Sequence, residues 1–361
     1  MSLNGNHHIE QNYLSSSKVS IVIPTKNRYL LLLETIKSIR EQTYENWEVL
    51  VVDDGSTDET EAQMLALSQA DSRIRFVKRS QGKPGAPASR NQGVAQASGD
   101  YIIFLDSDDC LAPHCLEKRV ATMLDRPDLD FGVFACQVFC DQPGDEALLW
   151  NRETQEHEHD LDRFLSLDVP WQTTSPIWRK AALQKLGPWD ESLIIWQDWE
   201  FHVRALVKGL KYEKFSQPDC FWRMPVKHRD SIGKKGITAG YLLSNEQLIA
   251  EVHTMLAKAQ LLNAHRRYLI AGLYFWLATQ WSTYVKSTDE ALRIWTICRE
   301  KNLVNTIEYW EGLLYFKVRR TRYIRRLARE YLSIRWSTEL MRQRHSVTLQ
   351  NTPMSTQLAQ S

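Results

Sequence analysis

The chain alternates short apolar runs with segments whose apolar residues recur at helical spacing. VSIVI before Pro24 is a β-branched run typical of a buried strand, and Leu33, Ile36 and Ile39 mark one face of a helix. The predicted strands cover 19–23, 48–53, 74–77 and 101–105, and the predicted helices cover 30–42, 58–68 and 86–97. This alternation predicts an α/β fold with a parallel sheet and right-handed crossovers.

The second half of the chain has a different pattern. Residues 131–139 are again strand-like, and the acidic stretch 141–162 predicts an excursion from the sheet. Tryptophans are frequent over 171–201, where they either pack in the core, the commoner case, or form platforms for sugar rings. From about 242 to 336 the pattern is helical, with few Gly or Pro to interrupt it.

Composition narrows the class of protein. With 361 residues, 43% hydrophobic and 25% charged, the chain suits one large domain with an appendage. Its six cysteines form no C-x-x-C pair, which predicts reduced thiols in an intracellular, cytoplasmic protein. The N-terminal segment lacks the apolar core of a signal peptide, and the apolar stretch 268–281 is too short to span a bilayer.

The net charge of +1 conceals a basic segment near one end. Residues 317–344 contain ten Lys or Arg and two Glu. Apolar residues at helical spacing run through this segment, namely Ile324, Leu327, Tyr331 and Ile334. The pattern predicts either peripheral contact with the inner face of an anionic membrane or a helix packed on the acidic body of the protein. We expect no nucleic-acid partner.

Polar and charged residues gather where the predicted parallel strands end. These segments are PTKNR (24–28), DDGSTD (53–58), RSQGKPGAP (79–87) with SRN (89–91), and DSDD (106–109). Ligands of open α/β sheets bind outside the carboxyl ends of the strands, so we expect one crevice there. The chain has neither G-x-G-x-x-G nor a P-loop motif. A divalent cation held by DSDD would neutralise a bound nucleotide's phosphates and relieve the repulsion among the carboxylates.

Four ordered landmarks make the sequence resemble the family-2 glycosyltransferases of the GT-A fold. They are VSIVIPTKNR, EVLVVDDGSTDET, ASRNQGVAQASGDYIIFLDSDD and LGPWDESLIIWQDWEFHVRAL, within residues 18 to 210. The resemblance implies a Rossmann-like, mostly parallel sheet flanked by helices, with a C-terminal helical appendage. It also implies a nucleotide-diphosphate sugar donor, Mn²⁺ or Mg²⁺, inversion at the anomeric carbon, and a saccharide or lipid-linked acceptor in polysaccharide, cell-envelope or glycolipid synthesis.

A domain division follows from the extent of the resemblance and from the flanking patterns. We expect a disordered segment over 1–17, the glycosyltransferase domain over 18–240, a helical region over 241–345 and a disordered tail over 346–361.

The resemblance assigns donor contacts at the strand ends. The family's base and ribose positions correspond to Pro24, Thr25 and Asp54, with Asp53 beside them and Arg28 in the same strand-end segment. For Asp54, a helix cap ahead of the next helix is the alternative. Arg90 matches the family's A-R-N element, where it supports either the acidic cluster or the diphosphate; a structural ion pair is the alternative.

The resemblance also assigns a metal site. DSDD matches the family's D-x-D element. The match implies that Asp108 is the main metal ligand and that Asp106 contacts the ribose or a metal-bound water. Ser107 lies between the two aspartates. WRMPVKHRDSIG resembles the segment that closes over the diphosphate in many relatives. Arg223, His228 and Ser231 are the candidates there, with His228 as a further metal or phosphate contact or as a structural histidine.

One carboxylate is left for catalysis. Asp198 in WQDWEF corresponds to the family's catalytic base, which removes the proton of the acceptor hydroxyl. The family often has Glu-Asp at this place, whereas this chain has Gln197 before the aspartate. Glu200 is the fallback base, although two positions along a helix it should face away.

Two other functions compete with this interpretation. One is a nucleotide-sugar-binding relative that has lost catalysis, which the presence of both DSDD and Asp198 disfavours. The other is a haloacid-dehalogenase-like phosphatase, which also places D-x-D after an apolar strand. That family has its motif near the start of the chain, followed by a hydroxyl residue, whereas Cys110 and Leu111 follow here.

Overall fold

The computed structural model describes residues 16–224, 237–318 and 347–348. Four parallel strands form one half of its central sheet, and the sequence predicted all four. They are β1 (Val19–Thr25), β2 (Trp47–Asp53), β3 (Ile74–Lys78) and β4 (Tyr101–Phe104). Strand β1 lies between β2 and β4, and β3 lies outside β2, so the carboxyl ends of all four strands share one edge.

The other half of the sheet contains the predicted strand over 131–139, and also antiparallel pairs that the sequence pattern did not predict. The strands are β5 (Cys110–Leu111), β6 (Phe131–Phe139), β7 (Leu148–Leu149), β8 (Pro176–Arg179), β9 (Tyr212–Arg223) and β10 (Val347–Thr348). Strand β8 is antiparallel to both β4 and β6, whereas β9 is parallel to β6 and antiparallel to β5. Eight of the ten strands follow the order β10-β7-β6-β8-β4-β1-β2-β3, and β9 joins β5 to β6 beside this path.

Helices cover the sheet, and the predicted ones are present with ends shifted by one or two residues. The predicted helices are α1 (Tyr29–Arg40), α2 (Thr60–Ala70) and α3 (Ala86–Gln96). Four further helices flank the sheet, namely α4 (Cys115–Asp125), α5 (Asp160–Leu165), α6 (Lys180–Leu186) and α7 (Gln197–Val207). The shifts arise because apolar spacing marks a buried face, whereas caps set the ends. Asp58 Oδ1, for example, accepts from the Thr60 amide at 3.0 Å, and α2 begins there.

Four helices and a π-helical turn, Trp281–Val285, form the described part of the C-terminal region. The helices are α8 (Ala239–Lys258), α9 (Ala264–Gln280), α10 (Thr288–Glu300) and α11 (Thr306–Val318). Their buried side chains join the same hydrophobic cluster as Trp171 and Trp178 beside the sheet. The domain division at 240 stays a prediction, and the hydrophobic core continues across it.

Several predictions concern the tryptophans and the chain ends. Trp171, Trp178, Trp189 and Trp199 are buried, which confirms the core interpretation for these four. None of the described helices is long and apolar enough to cross a bilayer. Most of the predicted disordered segments 1–17 and 346–361 and most of the basic segment 317–344 lie outside the described residues, as do His228 and Ser231. Within the predicted tail, Val347–Thr348 form strand β10.

Candidate active site

The loop after β4 carries the three carboxylates of DSDD. Asp109 is buried and points into the protein, where it accepts hydrogen bonds from the Arg223 backbone N–H at 3.0 Å and from Thr174 Oγ1 at 2.8 Å. Ser107 is buried as well. Asp109 therefore fixes the loop to β9, and the two other carboxylates are left partly exposed.

Asp106 and Asp108 each pair with an arginine. Arg90 Nη2 lies 2.7 Å from Oδ1 of Asp106, and Arg28 Nη1 lies 2.8 Å from Oδ2 of Asp108. The two carboxylate side chains are 35% and 25% exposed, respectively. Each pair uses one oxygen of the carboxylate, so the other oxygen remains for a further ligand.

Arg90 is held rigidly behind this acidic pair. Its guanidinium carbon lies 4.5 Å from the centre of the Trp189 ring. The arginine sits on α3, which packs closely against β1, since a Cβ on Gly93 would lie only 2.3 Å from Cγ1 of Val22. Burial, together with the charge of Arg90, lowers the pKa of the neighbouring His202 to about 3. Arg90 is therefore a fixed positive charge in an aromatic surrounding.

Arg223, at the end of β9, binds the same loop from the side of the sheet. Its Nε donates to the Asp108 carbonyl at 2.8 Å and its Nη1 donates to the Asp141 carbonyl at 3.2 Å, while Nη2 pairs with Glu34. The side chain is only 3% exposed. This geometry gives Arg223 a positioning role for Asp108, and its predicted contact with a diphosphate stays a prediction.

Burial and mutual repulsion raise the pKa of two of these carboxyl groups. The pKa of Asp109 lies well above its usual range because the group is buried and Asp108 and Asp106 are close. The pKa of Asp108 is also raised, by burial and by Asp106, although Arg28 and Arg223 oppose the rise. Three arginines thus reduce the repulsion within DSDD without removing it.

A second polar cluster lies at the ends of β1 and β2. Asp53 accepts hydrogen bonds from the Ser56 backbone N–H, at 3.1 Å to Oδ1 and 3.0 Å to Oδ2. Asp54 pairs with Arg79, and Lys26 Nζ lies 3.8 Å from its Oδ2. The capping alternative for Asp54 is wrong, because Asp58 binds the first amide of α2 instead. Asp54 is left beside two cations at the strand edge.

The segment between β1 and α1 connects the two clusters. Pro24 and Thr25 are buried at the end of β1, and the Thr25 hydroxyl has no hydrogen-bond partner within the described residues. Asn27 adopts a left-handed conformation, with φ of 53°, and its Oδ1 accepts from the Thr57 amide at 2.7 Å. This turn directs Arg28 toward Asp108 while Thr25 stays beside Asp54.

Asp198 lies on a separate element, in the first turn of α7. Trp196 precedes it with φ of 56°, a left-handed conformation that is uncommon for a bulky residue. The helix is fixed to the site by Phe201, whose ring stacks on Trp189 with centroids 4.0 Å apart, and Trp189 in turn lies under Arg90. An aromatic stack therefore joins the helix that carries Asp198 to the acidic pair.

The fallback base is already occupied. Glu200 is buried, and Arg204 binds both of its carboxylate oxygens, at 2.6 and 3.0 Å. The expectation that Glu200 faces away from Asp198 agrees with this pairing on the next turn of α7.

The partly exposed carboxylates fit a divalent cation. Asp106 and Asp108 offer the oxygen ligands that Mg²⁺ and Mn²⁺ prefer, and their repulsion is the kind that a cation relieves. No group of three Asp, Glu, His or Cys side chains suited to a metal occurs in the described parts of the chain. A cation here would therefore take its remaining ligands from water and substrate, as Mg²⁺ usually does.

Some functional residues were missed by sequence reasoning. Arg79 pairs with Asp54, and its signal was its place directly after β3, at the same edge of the sheet. Trp189 lies under Arg90, a contact that neither the core nor the sugar-platform interpretation of the tryptophans predicts. Glu34 and Thr174 hold Arg223 and Asp109, and no local pattern marked either residue.

Comparisons with known proteins identify the family of the chain. Residues 20–184 match the family model "Glycosyl transferase family 2". An uncharacterized glycosyltransferase of Methanocaldococcus jannaschii is 30% identical over 209 residues, which cover 57% of this chain and 71% of the relative. Escherichia coli WfgD, a UDP-Glc:alpha-D-GlcNAc-diphosphoundecaprenol beta-1,3-glucosyltransferase, is 42% identical over 106 residues, or 29% of this chain and 41% of that protein.

Coverage of other relatives is smaller, while the fold matches over most of the chain. The aligned part spans only 18% of the length of an uncharacterized glycosyltransferase of Rickettsia conorii. The crystal structure of S. aureus TarS 1–349 in complex with UDP-GlcNAc matches with a TM-score of 0.63 at 19% identity, over 88% of this chain and 91% of that one. At this identity the likeness concerns the fold alone, and it confirms the predicted fold class together with the C-terminal helices.

Proposed function

The chain belongs to glycosyltransferase family 2, and we propose that it transfers a sugar from a nucleotide-diphosphate sugar to an acceptor hydroxyl with inversion. One observation carries the proposal. Two partly exposed carboxylates, Asp106 and Asp108, lie at the same sheet edge as the polar cluster at the ends of β1 and β2, and an aromatic stack links them to the helix of Asp198. The proposal assigns the donor to the polar cluster, the cation to the acidic pair and the role of base to Asp198.

The donor nucleotide binds at the ends of β1 and β2. Asp54 accepts from a ring N–H of uracil or guanine, beside Thr25 and Pro24, while Asp53 holds the turn through Ser56. WfgD carries UDP-Glc in its name, which makes UDP-glucose the first donor to test. Arg28 and Arg90 lie beside the acidic pair and direct positive charge toward the diphosphate.

Asp106 and Asp108 would hold the Mn²⁺ or Mg²⁺ of this reaction. Bound there, such a cation supplies the positive charge that stabilises a leaving diphosphate. Asp109 and Arg223 keep the loop in place, because they anchor it from below through Thr174 and the Asp108 carbonyl. A predicted contribution of His228 or Ser231 lies outside the described residues.

Asp198 acts as the general base. As the acceptor oxygen attacks the anomeric carbon, its proton passes to the Asp198 carboxylate, the bond between that carbon and the phosphate oxygen breaks, and the nucleoside diphosphate leaves with the electron pair. Attack opposite to the leaving group inverts the anomeric centre. Because α7 is held by Phe201 on Trp189, the base keeps a constant relation to Arg90 and hence to Asp106.

The acceptor is proposed to be a saccharide or a lipid-linked sugar. WfgD acts on a diphosphoundecaprenol-linked sugar according to its name, and such an acceptor is presented at a membrane surface. We retain the prediction that the basic segment 317–344 contacts the inner face of an anionic membrane. In support, Ile307, Trp310 and Leu314 are exposed on α11, directly before that segment, and form an apolar stripe at helical spacing.

Vesicle binding tests the membrane contact. The full chain is expected to sediment with anionic vesicles but not with neutral ones, because the segment is basic, and the variant Trp310→Ala should sediment several-fold less. The exposed Tyr284→Ala serves as the matched aromatic control, since it lies on the π-helical turn instead of α11. No sedimentation at low salt would favour the helix-on-body alternative, and equal sedimentation with both lipid compositions would contradict the role of the basic charge.

Donor turnover tests the function itself. The purified chain with MnCl₂ is expected to hydrolyse one member of a panel of nucleotide sugars slowly and to transfer its sugar when the acceptor is supplied. Binding without turnover of any donor or acceptor would favour the inactive relative. Release of phosphate from phosphate monoesters would favour the phosphatase.

A further inference from the structure

Three arginines neutralise DSDD, and they differ in how firmly they are held. Arg223 is 3% exposed and binds several carbonyl oxygens, and Arg90 is 6% exposed and lies over Trp189. Arg28 is 24% exposed and comes from the turn between β1 and α1. Of these three arginines, Arg28 has the most exposed side chain, so the least packing opposes its movement.

Arg28 also forms an ion pair with Asp108, the carboxylate expected to be the main metal ligand. Its Nη1 lies 2.8 Å from Oδ2 of Asp108. A guanidinium and a divalent cation can each bind this carboxylate, but they repel each other when both are beside it, so they compete. An incoming donor, however, brings a diphosphate, which binds a guanidinium at least as well as the carboxylate does.

Building on the proposed function, we propose that Arg28 is an exchangeable counter-cation of the site. It neutralises Asp108 while no divalent cation is bound, releases that carboxylate to the cation, and then binds the diphosphate of the donor. The turn favours such an exchange because Thr25, in the same segment, lies beside the donor-side residue Asp54, whose amide donates to the Thr25 carbonyl at 2.9 Å. Arg28 thus couples the binding of the cation to the binding of the donor.

The exchange predicts that one substitution changes the affinity for Mn²⁺ and the affinity for UDP in opposite directions. Removing the guanidinium with Arg28→Gln should tighten the binding of Mn²⁺ alone to the full chain roughly three- to tenfold, because the competing cation is gone. The same variant should weaken the binding of UDP at saturating Mn²⁺ about tenfold, because the diphosphate loses a charge-assisted donor. Paramagnetic resonance of free Mn²⁺ measures the first affinity and calorimetry measures the second.

Two control variants separate competition from general electrostatics. Lys26→Gln removes one positive charge from the same turn, but Lys26 lies near Asp54 and is 53% exposed. The Mn²⁺ affinity of this variant should therefore differ less than about twofold from that of the wild-type chain. Arg28→Lys keeps the charge at the position and should therefore bind Mn²⁺ alone like the wild-type chain. Circular dichroism confirms that each variant is folded.

Each result either supports or contradicts the proposed exchange. Tighter Mn²⁺ binding with weaker UDP binding in Arg28→Gln alone supports it. Unchanged or weaker Mn²⁺ binding in Arg28→Gln, an equal gain in Lys26→Gln, or unchanged UDP binding overturns it. Failure of the proposed function would appear instead in the wild-type chain, as the absence of UDP binding in the presence of Mn²⁺.

Discussion

Asp198→Asn is expected to leave donor binding intact and to lower kcat for sugar transfer roughly 10²- to 10⁴-fold. The amide keeps the size of the side chain and most of its hydrogen-bonding capacity, but it cannot take a proton from the acceptor. The helix should not change, because Phe201 on Trp189 continues to hold α7. Donor hydrolysis gives a provisional measurement until the acceptor is known, since water needs the same base.

Glu200→Gln is the matched control for this result. It also removes one carboxylate from the first turn of α7, but it breaks the buried pair with Arg204. We expect a lower melting temperature and a kcat close to that of the wild-type chain. If Glu200→Gln were inactive and Asp198→Asn fully active, the base would be misassigned and the correspondence around WQDWEF would be wrong.

The parallel half of the fold was predictable because the apolar runs identify the strands and the parallel topology fixes where the strands end. Runs such as VSIVI and EVLVVD are buried on both faces, so their composition alone identifies them as strands. The sheet topology then brings their polar ends to one edge, as the sequence predicted. The roles of Asp54, Asp106 and Asp108 at that edge came from the family resemblance and stay predictions. Arg79 follows the same rule and was missed only because no motif singled it out.

The antiparallel half and the support of the site were not predictable in this way. Arg223 and Glu34 are 189 residues apart and meet under Asp108, and Thr174 reaches Asp109 across 65 residues. No spacing rule connects such residues, because the contacts follow from how β9 and β8 pair with their neighbours. The sequence suggested a divalent cation as the positive charge at DSDD and left open whether Arg90 supports the cluster, whereas three arginines lie there.

Asp108→Asn is expected to differ from the base variant, because it should lose donor affinity as well as turnover. A carboxylate that holds a cation supports the ground-state complex and the transition state alike, so its loss weakens binding and lowers kcat/KM. For the wild-type chain, EDTA should weaken the binding of UDP-glucose or of the donor identified from the panel. In Asp108→Asn the affinity should be low from the start and should change little with EDTA. Calorimetry with and without MnCl₂ measures both effects.

Asp71→Asn supplies the control for removing an ion-paired carboxylate. Asp71 binds Arg73 at 2.9 Å, but it lies between α2 and the start of β3, at the edge of the sheet opposite to the site. Its donor affinity and its response to EDTA should match those of the wild-type chain. The metal role of Asp108 would be excluded if Asp108→Asn bound the donor as tightly as Asp71→Asn and EDTA weakened both equally. In that case the cation would be held elsewhere, and Asp108 would serve only as the partner of Arg28, so the exchange proposed for that arginine would fail with it.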